Sequence, residues 1–165
     1  MTSESPALRD PPGERDVESL LSFGVINLDK PPGPSAHQVS AWIKSLTDLD
    51  RAAHAGTLDP KVTGVLPVLL GDATRLVPAM LEGTKEYVAV LELHASAPTD
   101  LESTVAEFEG EIYQKPPRKS AVARRLRTRT VHELEVLEVE KRQALLRMDV
   151  ESGTYVRKLC HDIGL

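Results

Sequence analysis

Residues 131–151 read VHELEVLEVEKRQALLRMDVE. Val131 to Glu140 alternates apolar and acidic side chains, and its later part fits a half-buried strand with a carboxylate face turned to water. Leu145 to Glu151 reads as a second strand. Working outward, Lys85–His94 (KEYVAVLELH) is rich in β-forming residues, and Phe23–Leu28 and Val65–Leu70 are apolar runs of strand length. Strands outnumber helices, and most connections look hairpin-like. The fold class expected is α+β, a largely antiparallel mixed sheet flanked by helices.

Between the strands the helix signals are local. Ser35 is placed to cap a helix, with Gln38 three residues on to complete a capping box. Val39, Trp42, Ile43 and Leu46 then recur at helical spacing, which predicts one buried stripe and puts Trp42 in the core. Ahead of it, Asp29–Pro34 holds three prolines that cannot donate to a ladder, so a rigid irregular loop is expected. Asp72 is placed to cap a second helix carrying Ala73, Leu76, Val77 and Met80, with Pro78 keeping it short or bent. Asp100–Phe108 suits a brief helix, residues 111–130 a basic loop, and Ser152-Gly153 a turn before a helix from Thr154 or Tyr155. Residues 1–21 are expected to be a flexible polar tail and 22–165 one catalytic domain. Because the last helix has barely begun its third turn at Leu165, that domain is expected to continue further.

The chain has 165 residues, 41% hydrophobic, 27% charged and only 4% aromatic, so aliphatic side chains must supply most of the core. The longest apolar run is far too short to span a bilayer, and no basic-then-apolar leader opens the chain. One cysteine, Cys160, excludes a disulfide framework and a cysteine-based zinc site. Cys160 and His161 are neighbours on a helix and point in different directions, so a buried thiol and a surface imidazole are expected rather than a metal pair. A cytoplasmic protein is the simplest inference. The net charge of −5 argues against a plain nucleic-acid binder, but its distribution does not. Residues 111–130 carry +6 and residues 131–140 carry −4, a local polarity able to hold a phosphate backbone.

The chemistry centres on residues 54–64, HAGTLDPKVTG. Asp59 lies between a small-residue turn and a proline. Taken alone, Gly-Thr-Leu-Asp-Pro is a turn and nothing more. Its company is more specific: His54 on the same loop, Lys85 and Tyr87 opening a strand, and Tyr155 with Arg157 at a strand-to-helix junction, where backbone N–H groups favour anions. A loop carboxylate with an arginine able to keep it ionised is minimal equipment for carboxylate nucleophilic chemistry.

Five ordered blocks make the pattern recognisable. They are INLDKPPGPSAHQV (26–39), HAGTLDPKVTGVLPVLLGDATRLV (54–77), KEYVAVLELH (85–94), GEIYQKPPRKSAV (110–122) and SGTYVRKLCHDIG (152–164). Over nearly all of residues 22–165 the chain resembles the TruB/dyskerin family of RNA pseudouridine synthases, with wording closest to the archaeal and eukaryotic branch. The resemblance implies the pseudouridine-synthase fold, isomerisation of uridine in tRNA or in guide-RNA-directed rRNA, and no cofactor or metal. It makes Asp59 the nucleophile, Tyr87 the ring that stacks on the target base, and Arg157 the partner of the carboxylate. His54 would help hold the RNA, and Lys30, Lys85 and Tyr155 fall in blocks near the cleft as candidate substrate contacts. The partners implied are tRNA, H/ACA guide RNA, rRNA and the proteins of an H/ACA particle. Family members continue past the SGTYVR helix and usually end in a small RNA-binding PUA domain, and the resemblance implies that residues 22–165 are an incomplete catalytic domain without that PUA domain. A non-catalytic RNA-binding or assembly module is the competing reading.

Overall fold

In a computed structural model of the chain, the described residues are Gly13, residues 15–116 and residues 123–165. The chain divides into two compact units, residues 1–81 and 82–165.

In the first unit, helix α1 (Val17–Ser22) runs directly into strand β1 (Phe23–Lys30). Asp16 caps α1 by accepting the Ser19 N–H, so the end of the expected tail is helical. Residues 1–12 and 14, the rest of that tail, lie outside the described residues. Strand β1 also takes in Asp29 and Lys30, so the irregular proline segment begins only at Pro31. Helix α2 (Ala36–Leu46) starts as anticipated, with both hydrogen bonds of the Ser35–Gln38 capping box formed.

The buried stripe of α2 differs from the expected one: it is Ala36, Val39, Ser40 and Ile43. Trp42 is 55% exposed and Leu46 is 85% exposed. The helix presents its small residues to the sheet, and the Ser40 hydroxyl meets its hydrogen-bonding need by donating to the Ala36 carbonyl (3.0 Å). Strand β2 (Ala52–His54) and strand β3 (Gly64–Gly71) complete a sheet of order β1-β3-β2, antiparallel throughout. Ala36, Val39 and Ile43 pack on Leu66, Val68 and Leu70. Each fully buried aliphatic side chain of this kind contributes about 1.5–3 kcal/mol.

The second helix reads differently from the expectation. A 3-10 turn covers Asp72–Leu76 and a short helix α3 covers Val77–Glu82. Pro78 falls in the first turn of α3, where its missing N–H costs nothing. Asp72 does not cap; its carboxylate accepts from Arg51 (2.9 Å) and Arg75 (3.3 Å).

Gly24 and Gly71 sit where β1 and β3 meet the end of α1. A Cβ on Gly24 would lie 2.2 Å from the Leu20 carbonyl oxygen, and one on Gly71 would lie 2.2 Å from that of Ser22. Gly71 also holds a φ of 51°. Gly71→Ala should therefore cost about 1–3 kcal/mol, seen as a lower urea midpoint for full-length protein at an unchanged m-value.

The second unit holds β4 (Lys85–Glu92), α4 (Leu101–Ala106), β5 (Gly110–Gln114), β6 (Arg127–Glu140), β7 (Gln143–Val150) and α5 (Val156–Ile163). Its sheet order is β4-β7-β6-β5, again antiparallel throughout. The single sheet expected is thus two antiparallel sheets, one per unit. The span 111–130 is not one loop: its first residues belong to β5 and its last to β6, and residues 117–122 lie outside the described residues. Strand β6 alternates only in part. Its register shifts between Val131 and Glu133 and again between Val136 and Glu138. Leu137 and Val139 are exposed, so the half-buried face expected of its later part does not form. Val131 and Leu134 are buried, while Glu133 and Glu135 point outward and hold Arg147 of β7 at 3.0 and 3.1 Å. On the inner face Leu101, Val105, Leu159 and Ile163 meet Leu146, Met148 and Val150.

Candidate functional site

The first unit supplies the Asp59 loop, which joins β2 to β3. Ala55 still belongs to the sheet: its N–H donates to the Pro67 carbonyl (2.9 Å), and its methyl is buried with Leu69 and Ala73. Gly56 then turns the chain away with a φ of 146°, a value that favours glycine. Beyond it the loop folds back, because the Asp59 carbonyl accepts the Val62 N–H (3.0 Å). The loop is also tied from outside, where Gly33 of the proline segment donates its N–H to the Pro60 carbonyl (2.7 Å).

The strongest tie is Lys30, at the end of β1. Its side chain is fully buried. Its Nζ donates to the carbonyls of Val62 (2.7 Å), Pro31 (3.0 Å) and Pro60 (3.2 Å). An ammonium has three donors, and all three are spent here on backbone. Lys30 therefore fixes the two residues around Lys61, next to Asp59. Lys30→Met would remove the three charge-assisted hydrogen bonds that tie the loop to β1, at a cost of about 1–3 kcal/mol. The expected result is faster amide exchange in residues 59–62 together with reduced stability of full-length protein. His54 ends β2 opposite Val68 and is half-buried. Its Nδ1 is enclosed without a hydrogen-bond partner among the described residues.

The second unit supplies the other candidates. Tyr87, in β4 opposite Met148, packs partly buried against the inner core. Burial pushes its phenol above the usual tyrosine range, so the ring is neutral at physiological pH. That suits a stacking face with a hydroxyl better than a proton acceptor. Lys85 opens the same strand opposite Val150 and donates to the Gly83 carbonyl.

Tyr155 and Arg157 lie at the start of α5. Tyr155 is its N-cap residue, and Arg157 is exposed in its first turn. The preceding turn is built from Glu151, whose carboxylate accepts the Thr130 N–H (2.9 Å) and pairs with Arg129 (3.3 Å). The Glu151 carbonyl accepts both the hydroxyl (2.7 Å) and the N–H (3.2 Å) of Thr154. Gly153 takes a φ of 80° beneath the Arg129 guanidinium.

Three residues that the sequence reading did not single out thus shape this turn: Gln114, Glu151 and Arg129. Gln114 carried a signal, a polar side chain two positions after Ile112 on the inward phase of β5. It is 2% exposed, and its amide holds both backbone polar groups of Tyr155. Cys160 is half-buried, with its thiol raised by burial, and His161 is exposed. Among the described residues no helix is long and apolar enough to cross a membrane, and no group of three or more His, Cys, Asp or Glu is placed to hold a metal ion.

Known proteins resemble the chain in sequence and in fold. The model of the TruB family pseudouridylate synthase N-terminal domain matches residues 44–156, and the DKCLD (NUC011) domain matches residues 8–40. A probable tRNA pseudouridine synthase B of Halobacterium salinarum is 71% identical over 95% of this chain and 52% of its own length. That of Haloarcula marismortui is 65% identical over 99% and 52%. Among solved structures, a chain of a Cbf5-Nop10-Gar1 complex aligns with a TM-score of 0.88 at 56% identity, over 97% of this chain and 49% of that one. A chain from an H/ACA RNP bound to a substrate RNA containing 2'-deoxyuridine aligns with a TM-score of 0.84 at 52% identity, over 98% and 48%. The chain spans about half the length of the curated relatives it matches.

Proposed function

The chain belongs to the TruB family of pseudouridylate synthases, and from that membership we propose that the whole protein isomerises uridine to pseudouridine in RNA. In this reaction the N1–C1′ bond of uridine breaks, a C5–C1′ bond forms, C5 gives up its proton and N1 gains one. Asp59 is the nucleophile that frees the base to rotate. Arg157 is the cationic partner of that carboxylate in the reaction, a guanidinium being suited to bidentate pairing with a carboxylate. Tyr87 is the face on which the extruded base stacks, worth about 1–3 kcal/mol. His54 and Lys85 contact the RNA, and Tyr155 acts beside Arg157. The observation that carries the reading is the Asp59 loop itself: a family-matching carboxylate whose neighbouring carbonyls are fixed by Lys30 and Gly33.

The substrates proposed are the T-loop uridine of tRNA and guide-RNA-directed uridines of rRNA. The names of the curated relatives favour the first, and the H/ACA particles among the structural relatives favour the second. In the guided mode the partners are H/ACA RNA and the proteins of that particle, and the reaction is placed in the cytoplasm. Tritium release from RNA labelled at uridine C5 tests the proposal, because that hydrogen leaves only when the new bond forms. Release by full-length protein without guide RNA supports the tRNA mode, and release only with guide RNA supports the guided mode. No release under either condition would leave the protein an RNA-binding or assembly module.

A further inference from the structure

We infer that Gln114 is a positioning residue for the start of α5, and through it for Tyr155 and Arg157. The inference rests on the catalytic reading above. Tyr155 occupies the N-cap of α5, yet its side chain makes no cap hydrogen bond. A helix start without a side-chain cap is open to fraying. Here the cap residue is gripped through its backbone instead. The Tyr155 N–H donates to Gln114 Oε1 (2.9 Å), and Gln114 Nε2 donates to the Tyr155 carbonyl (3.3 Å). That same carbonyl accepts the N–H groups of Lys158 and Leu159, both at 3.0 Å, so it belongs to the first turn of the helix.

Two features set this contact apart from ordinary packing. Gln114 is 2% exposed, so water cannot replace either bond. The partners are also 41 residues apart, which makes the amide a bolt between the end of β5 and the start of α5. A carboxamide offers an acceptor and a donor side by side, and the grip uses one of each. Methionine fills similar space with neither. An ionised glutamate keeps the acceptor but sets a second oxygen against the Tyr155 carbonyl. A protonated glutamate restores the donor. Arg157 stands two residues beyond the gripped cap, so a looser cap displaces its guanidinium directly.

The test uses full-length protein carrying Gln114→Met or Gln114→Glu. Tritium release and amide exchange of residues 155–159 are followed, with RNA affinity measured separately. Both variants should lose about 10- to 100-fold in kcat with little change in KM or RNA affinity. Exchange at 155–159 should rise in Gln114→Met. Activity of Gln114→Glu should recover relative to wild type as pH is lowered, because burial raises the new carboxyl above its ordinary value of about 4.3 and protonation restores the donor. That recovery is a signature a purely structural role would not give, and it keeps the test valid should Gln114→Met fail to fold. Unchanged kcat in both variants, or a Gln114→Glu loss that does not vary with pH, would overturn the inference. If wild type itself shows no turnover, the catalytic reading falls, and the exchange measurement alone decides whether Gln114 holds the helix start.

Discussion

Asp59→Asn in full-length protein should abolish tritium release, by about 10⁵-fold or more, while RNA binding stays within a few-fold of wild type. The two side chains have nearly the same shape, so the loop has no reason to move. Lys30 and Gly33 hold its form through backbone carbonyls, which the substitution leaves in place. What is lost is the charge that attacks. A carboxamide is a poor nucleophile, and residues 54–64 hold no other carboxylate that could substitute. RNA affinity should survive because it comes mainly from phosphate contacts spread over many side chains. Normal turnover by the Asn variant would remove Asp59 from the mechanism.

Arg157→Lys should be the second largest effect, a loss of roughly 10²–10³-fold in kcat. The substitution keeps a positive charge on an exposed position of the first turn of α5, so stability should change little. A lysine loses the planar fork that holds a carboxylate through two parallel hydrogen bonds, and its ammonium swings on a longer flexible stem. Were Arg157 only a surface cation serving RNA, lysine would do nearly as well. The KM against kcat split separates the cases: a fall confined to kcat supports the carboxylate partner, and a rise confined to KM supports a phosphate contact.

Much of the fold could be read from local patterns. The capping box at Ser35 and Gln38 formed as written because both partners lie within one turn. The alternation in β6 was only partly legible. Glu133 and Glu135 face Arg147 as their charge suggests. Register shifts at Val131/Glu133 and Val136/Glu138, set by pairing with the neighbouring strand, leave Leu137 and Val139 exposed. The α2 stripe was misjudged for a physical reason. Residues 36, 39, 40 and 43 fit helical spacing as well as 39, 42, 43 and 46, but Ala36 and Ser40 look unremarkable when only large apolar residues are counted. Ala36 and Ser40 are buried together with Val39 and Ile43, on the face that packs against Leu66, Val68 and Leu70.

The candidate site was legible only in part. Motif wording pointed to Asp59, Tyr87 and Arg157, yet gave no sign that Lys30 is buried and spent on the loop. Its acceptors are backbone carbonyls some thirty positions away, and backbone groups leave no mark on a sequence. Gln114 is a similar case, since its partner is the backbone of Tyr155. The split into two sheets was also hidden, because pairing partners are chosen in space and each strand taken singly reads the same in one sheet or two.

The central claim is that the side chains of residues 59 and 157, nearly a hundred positions apart in the chain, act on one uridine together. A crystal structure of full-length protein bound to a uridine-containing RNA examines it most directly. The account predicts the Arg157 guanidinium donating to the Asp59 carboxylate, with the extruded base against the Tyr87 ring. A carboxylate facing bulk water, with the guanidinium engaged elsewhere, would contradict it.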